Sequence, residues 1–480
     1  RTVAALLAVL AIVVQARTLL FNRISTPVGW VQGMPAAKSA KMSFTVAMKQ
    51  QNLDKLDATF QTVTDPDSVN WRRWLTAEQV QGLTAASPEH TAAVEAFLAT
   101  SGASCATRGD HIACEGTVAD VEALFNTDVF EFHNSEHSST IRAAWGEQTI
   151  PDHLAEAVDM VSGLSFFPVH RARLGRVEAL NDNDYLVVPE TIAAFYKTEK
   201  DGNAQSTQAP IEFQNYPAVK QSDLDTFITQ TAIQSFQIAK KVGPFNDQFP
   251  GAESTLDVQY LGATGEGNTN WYWTEQQWLY DFTSTFSSTT DVPSVISLSY
   301  GWDEEQQCRI DPVACAEHFG NNNTMYVNRV NTEFQKIGVR GVSILVSAGD
   351  AGAHGRTDES CLTSKTTPTY PAGSPYVTTV GATQIKNGVS NGANAPVCQT
   401  QQCATGGTEI VASHGTGALI TSGGGFSNVA ARPSYQDDAV KAYLAQSGAT
   451  PADSDFNSAG RGYPDVAALG HKYYIELNGQ

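Results

Sequence analysis

The chain has 480 residues, 41% hydrophobic and 17% charged, which is globular material for more than one domain rather than disordered chain. Fifty acidic against 30 basic residues give a formal charge of −20, which excludes the phosphate-neutralising surface that a nucleic-acid partner requires. The same balance suits an acidic compartment, where carboxylates begin to take up protons.

The opening stretch RTVAALLAVLAIVVQA has a basic start, an apolar run from Thr2 to Val14 and a small residue at Ala16. It reads as a secretory signal peptide, residues 1–16, too short for the roughly 20 residues of a membrane span, and no membrane span is expected once it is removed. The expected location is the secretory pathway, ending in a lysosome, a vacuole or the extracellular space. Seven cysteines in such a chain are expected to be mostly disulfide-bonded, with one left over. Cys105 and Cys114 bracket ATRGDHIA, whose Arg-Gly-Asp centre reads as a turn, so they are expected to staple a hairpin. Cys398 and Cys403 are close enough to pair locally. The triplet NNT at Asn322 is a permissive glycosylation signal.

Residues 17–169 read as an α+β domain. KMSFTVAMKQ is strand-like, NLDKLDATFQTV and PEHTAAVEAFLAT have helical spacing, and IACEGTVADVEALF turns from strand to helix. The stretch HRARLGRVEALNDND follows, poor in apolar residues, and reads as an exposed linker at 170–184 open to proteolysis. From residue 185 to 480 apolar runs such as SVISLSYG and GVSILVSAGDAGA alternate with helical stretches such as YVNRVNTEFQKIG. That pattern predicts a mostly parallel sheet covered on both faces, an α/β domain whose site lies where strands end, at Tyr300–Gly301 and Gly349–Asp350.

GAESTLDVQY sets Glu253 and Asp257 four residues apart in an otherwise buried helix. A solvated helix start is the bland reading. The sharper one is a pair of acids that share a proton and titrate as a unit, able to deprotonate a nucleophile at a pH where histidine is already charged. Asp350 ends an apolar strand and either makes a turn or, kept protonated in a partly dry cleft, donates a hydrogen bond to a developing oxyanion. His414, in SHGTG, lacks the Asp and Ser context of a triad. The glycine-rich SGGGFSN at 422–428 has no basic residue for a phosphate, and is expected to let backbone pass close to another segment.

GAESTLDVQYLGATG, VISLSYGWDEE, ILVSAGDAGA, PTYPAGSPYVTTVGAT, SGGGFSNVAARPSYQDDAV and GRGYPDVAAL together resemble the sedolisin family of serine-carboxyl peptidases. VGWVQG, the stretch from TVAMKQ to AEQV, and IPDHLAEAVDMVSGLSFFP resemble its activation prodomain. The resemblance implies a subtilisin-like α/β catalytic domain with a mostly parallel sheet, preceded by an α+β prodomain that inhibits it intramolecularly and is removed in acid. It implies Glu253 as general base, Asp257 as its coupled partner, Asp350 as the oxyanion acid, and Ser299, Tyr300 and Gly301 as the strand that binds peptide or protein substrates. Tripeptidyl-peptidase activity is the expected specificity, with internal cleavage as the other. The resemblance also implies calcium, with ligands lying beyond Gln480. The family's nucleophile stands in a Gly-Thr-Ser-x-Ser motif that does not occur in these residues, and neither Ser422 nor Ser427 replaces it. The 480 residues are therefore expected to be inactive by themselves. The alternative is an inactive pseudopeptidase acting as a peptide-binding or inhibitory protein.

Overall fold

The computed structural model describes residues 16–135, 139–168, 185–198, 202–213, 219–245, 247, 250–310, 322–358, 361–446, 452 and 454–479. The expected linker at 170–184 and all but the last residue of the expected signal peptide lie outside the described residues.

The first domain holds two four-stranded antiparallel sheets. One runs in the order Arg17–Arg23, Ser139–Pro151, Asp128–Asn134, Val31–Pro35 and the other in the order Ser104–Arg108, His111–Thr117, Lys41–Met48, Val158–Ser162. The predicted helices form as Leu53–Thr64 and Pro88–Leu98. Thr117 makes the expected switch from strand to helix. Its hydroxyl accepts from the Asp120 amide at 3.3 Å while its own amide donates to Asp120 Oδ2 at 2.8 Å, a reciprocal cap that opens the helix Val118–Phe125. Cys105 and Cys114 face each other in register and are disulfide-bonded, as expected, and so are Cys398 and Cys403. Cys308 is also disulfide-bonded, while Cys361 is free and exposed.

In the strand Lys41–Met48, Met42, Phe44, Val46 and Met48 point into the first domain's core at the spacing of two that a half-buried strand requires. Ala47 breaks the alternation because its face is covered too. With Met160 and Phe166 it joins the core of the second domain, so the two domains share apolar packing.

The second domain is built on an eight-stranded sheet. Ile238–Val242, Thr269–Glu275, Thr207–Phe213, Val295–Leu298, Ser343–Ser347 and Thr378–Val389 are successive parallel neighbours. Val466–Leu469 adds a further parallel pairing and Gly406–Val411 an antiparallel one, both to Thr378–Val389. The apolar runs read from the sequence thus form the predicted mostly parallel sheet. Helices Leu279–Ser288 and Asn323–Gly338 pack together and receive the first domain's helices Leu53–Thr64 and Ala77–Thr84. Helices Pro189–Tyr196 and Gln221–Thr231 instead pack on Ala252–Thr264. Asn322, exposed at the glycosylation triplet, caps its helix by accepting from the Met325 amide at 3.1 Å. No helix of the described residues is long and apolar enough to cross a membrane.

Candidate active site

The helix Ala252–Thr264 starts at Gly251, in extended conformation, and carries Glu253 in its first turn, where the helix dipole favours a carboxylate. Its buried stripe includes Ser254, Thr255, Val258, Gln259 and Tyr260, and it admits Phe236 against Gly262, where a Cβ would lie 2.1 Å from the ring. Glu253 and Asp257 are both half-buried and, being four apart, share one face beside that stripe. This is a helix pinned to the domain on its apolar side that presents two carboxylates together at its edge.

The parallel sheet brings the other groups to its carboxyl end. Ser299 follows the strand Val295–Leu298, and its hydroxyl donates to Asp257 Oδ2 at 2.7 Å. Asp350 follows the neighbouring strand Ser343–Ser347 after a turn at Gly349, whose φ of +101° only glycine adopts without strain. Ser299, Gly301, Ser347, Gly349, Asp350, Arg356 and Thr369 line one small polar pocket. The sequence-predicted Ser299, Gly301 and Asp350 are therefore brought together, and Asp257 reaches the group through Ser299. Tyr300 sits between Ser299 and Gly301 but turns the other way, as successive residues of extended chain do. Its ring packs on Phe213 with centroids 5.2 Å apart, and its hydroxyl donates to Glu212 Oε2 at 2.8 Å.

Glu212, next to last in its strand, is almost fully buried, one strand over from Tyr272. Burial pushes the Tyr272 hydroxyl well up, with the charges of Glu212 and then Asp257 adding to the effect, so both carboxylates lie in its neighbourhood. Asp350 accepts from Arg356 Nη2 at 3.1 Å, with its side chain 41% exposed against 16% for the arginine. Arg356 is held there by its backbone: its amide and that of Thr357 both donate at 3.2 Å to the fully buried Asp303. Next to Asp303, Glu304 is buried and pushed up to about 7 by loss of water, against the pull of its hydrogen bonds. It accepts from the Ser427 hydroxyl and from the Asn428 amide, the latter at 2.7 Å.

The glycine-rich stretch does pass close to another segment. Gly423 donates to the Gly349 carbonyl at 2.8 Å, and a Cβ on Gly423 would stand 2.0 Å from the Ala348 oxygen. Its serines have structural partners: Ser427 serves Glu304, and Ser422 Oγ accepts from the Ala382 amide at 2.9 Å. His414 bonds the Leu419 carbonyl at 2.9 Å on an exposed turn.

Glu212, Arg356 and the Asp303–Glu304 pair were not singled out from the sequence. A lone carboxylate inside the apolar run TQAPIEF is a signal that points to Glu212; the others depend on contacts between distant segments. Among the described residues no group of three or more His, Cys, Asp or Glu converges as a metal would require.

Residues 28–167 match the family model described as Pro-kumamolisin, activation domain. Physarolisin of Physarum polycephalum is 37% identical over 460 residues, spanning 94% of this chain and 79% of that protein. Tripeptidyl-peptidase 1 of Rattus norvegicus is 33% identical over 488 residues, spanning 95% and 78%. A solved structure of Pseudomonas sedolisin, a serine-carboxyl proteinase complexed with two molecules of pseudo-iodotyrostatin, is 21% identical with a TM-score of 0.44, covering 62% of this chain and 74% of that one. With relatives of this identity covered over most of their length, and an activation domain at its start, the chain belongs to the sedolisin family of serine-carboxyl peptidases.

Proposed function

We propose that this protein is the proenzyme of an acid-active serine peptidase in which Glu253 is the general base, Asp257 its coupled partner and Asp350 the oxyanion acid. The observation that carries the reading is the 2.7 Å bond from Ser299 to Asp257, which ties the carboxylate helix to a strand that lines one pocket with Asp350. Glu253 takes the proton of the attacking serine and returns it to the leaving amine; Asp257 beside it keeps the pair's shared proton mobile in acid, where a histidine base would already be spent. Asp350, once protonated, donates to the oxyanion that forms as the carbonyl is attacked. The backbone of Ser299, Tyr300 and Gly301 aligns the peptide. The attacking serine is not assigned to any residue named here, and no step passes through the calcium that the resemblance implies.

Residues 17–169 act as the inhibitory prodomain, the chain is cut within 170–184, and the mature domain starts near 185. Tripeptidyl-peptidase action in a lysosome, a vacuole or the extracellular space is part of the same reading, supported by the similarity to physarolisin and tripeptidyl-peptidase 1. The test is to incubate the full-length protein in acid with one peptide bearing a free N-terminus and with the same peptide acetylated. Tripeptides released only from the free form are expected. Internal cleavage of both would make it an endopeptidase, and tight binding without any product would make it the inactive peptide-binding relative.

A further inference from the structure

The arginine beside Asp350 is set in place by its backbone before its side chain meets anything. Gly355, with φ of +68°, lets Asp303 come hard against the chain, since a Cβ there would stand 2.6 Å from Asp303 Oδ1. Asp303 then accepts from the Arg356 and Thr357 amides at 3.2 Å each and from the Thr357 hydroxyl. The Thr367 amide closes the loop on the Ala353 carbonyl at 2.9 Å. A backbone held at these points leaves Arg356 little freedom beyond its own torsions, and it reaches into the pocket that Asp350 also lines.

The walls of that pocket are polar. Ser299, Ser347 and Thr369 supply hydroxyls, and Gly301 and Gly349 supply backbone without a side chain. Thr369 stands close to both glycines: a Cβ on Gly301 would lie 3.0 Å from Thr369 Cγ2, and one on Gly349 would lie 3.3 Å from Thr369 Oγ1. Of the lining residues, Arg356 and Asp350 are the charged ones, with Nη2 and Oδ2 3.1 Å apart. The nearby acids face other donors. Asp303 turns to the loop backbone, and Asp257 accepts from Ser299 at 2.7 Å. Asp358 accepts from the Leu362 and Thr363 amides at 2.7 and 3.1 Å and meets His354 Nδ1 at 3.3 Å.

An oxyanion acid acts in its neutral form. When Asp350 carries its proton, the anion 3.1 Å from Arg356 is neutralised, while the guanidinium keeps its charge. A guanidinium presents five N–H groups in a fixed fork that matches a carboxylate, so it can hold a second one beside Asp350. The residue whose carbonyl faces Asp350 carries its side chain one carbon away, which makes that side chain the part of a substrate nearest this pocket.

We propose that Arg356 is a specificity-determining residue that binds the carboxylate of an Asp or Glu side chain on the residue whose carbonyl is attacked. The substrate's anion stands in for the charge of Asp350, so an acidic side chain in the pocket favours the protonated Asp350 that the reaction uses. This role for Arg356 rests on Asp350 being the oxyanion acid.

The test uses the acid-activated full-length protein and peptides that differ only in the residue on the acyl side of the cleaved bond, Glu in one and Gln in the other, with products identified by mass. The Glu peptide is expected to be cleaved with a kcat/KM about tenfold higher, the scale of one charge-assisted hydrogen bond in a partly exposed site. The Glu-to-Gln ratio is expected to rise severalfold between about pH 3.5 and about pH 5.5, as the substrate carboxyl ionises. The Gln peptide has no carboxyl at that position, so it carries the enzyme's own titrations and the ratio cancels them. In Arg356→Gln the ratio is expected to fall to near one and lose its pH dependence, and in Arg356→Lys, which keeps the charge without the fork, to lie between. A wild-type ratio near one overturns the proposal, as does a ratio that survives in Arg356→Gln. An equal loss on both peptides, with the ratio unchanged, would make Arg356 a support for Asp350 only and overturn it too. Each of these results leaves the peptidase reading standing. If the wild type cleaves neither peptide, that reading fails, and the ratio of the two peptides' affinities for the same protein, by fluorescence anisotropy, decides the role of Arg356 in the same way.

Discussion

The face between the two domains and the candidate cleft both use carboxylates beside arginine, and they use them in opposite ways. At the interface, Asp110 and Glu333 are fully buried and gather donors from several elements, with Lys336 and Arg329 between them. In the cleft, Asp350 is 41% exposed and paired to Arg356, while Glu253 and Asp257 stand half-buried at the edge of their helix. At Asp110 the buried cations outweigh burial and hold the carboxyl well below its ordinary range, so it serves structure. One at the edge of a cleft keeps contact with water, as proton transfer to and from a substrate requires. Only the second kind suits general acid-base work.

The contrast breaks most sharply if a carboxylate of the cleft turns out to be structural. Asp257→Asn in the full-length protein keeps an oxygen for the Ser299 hydroxyl but cannot share a proton with Glu253. A loss of about 10³-fold in kcat is expected, the scale of a general-base contribution, with the urea midpoint unmoved. On the interface side the order reverses. Lys336→Met leaves two buried carboxylates short of a cation and is expected to cost about 3–5 kcal/mol in urea unfolding of the intact chain.

Glu304 lies between the two kinds, a buried carboxyl that receives hydrogen bonds from Ser427 and Asn428 and is pushed up to about 7 by burial. A carboxyl raised in the fold favours the protonated form, so its contribution is fully present below the unfolded value and is lost as the pH rises through about 7. The loss amounts to about 3 kcal/mol by the usual conversion of such a shift. Thermal unfolding followed from pH 5 to 8 is therefore expected to fall less steeply in Glu304→Gln than in the wild type; parallel curves would remove Glu304 as the cause. The smallest effect is expected at the half-exposed pair in the cleft. Arg356→Ala should change stability by less than about 1 kcal/mol, because solvent screens the pair, and a larger drop in urea would mean that the cleft is held together as the interface is.

Much of this arrangement was legible in the residues. Strand-like runs, helical spacing and apolar runs ending in glycine are local signals, and they located strands, helices and the strand ends that carry Ser299 and Asp350. The four-residue spacing of Glu253 and Asp257 set both on one helix face. What stayed hidden depends on contacts between segments far apart in the chain. Nothing local to Asp110 in the Arg-Gly-Asp turn says that Lys336, 226 residues away, will close on it. Nor does the stretch around Tyr300 say that its ring turns inward to Glu212, 88 residues earlier. Arg356 reaches Asp350 because Asp303 gathers the backbone of residues 356 and 357, which only the folded loop reveals.

The measurement that bears most directly on the assignment is peptide hydrolysis in acid by the full-length Glu253→Gln protein beside the wild type, with folding of both checked by circular dichroism. The assignment predicts a wild type that turns over peptides and a folded variant that does not. A variant that cleaves as fast as the wild type would contradict it, and would return Glu253 to the role of a carboxylate that merely caps the start of its helix.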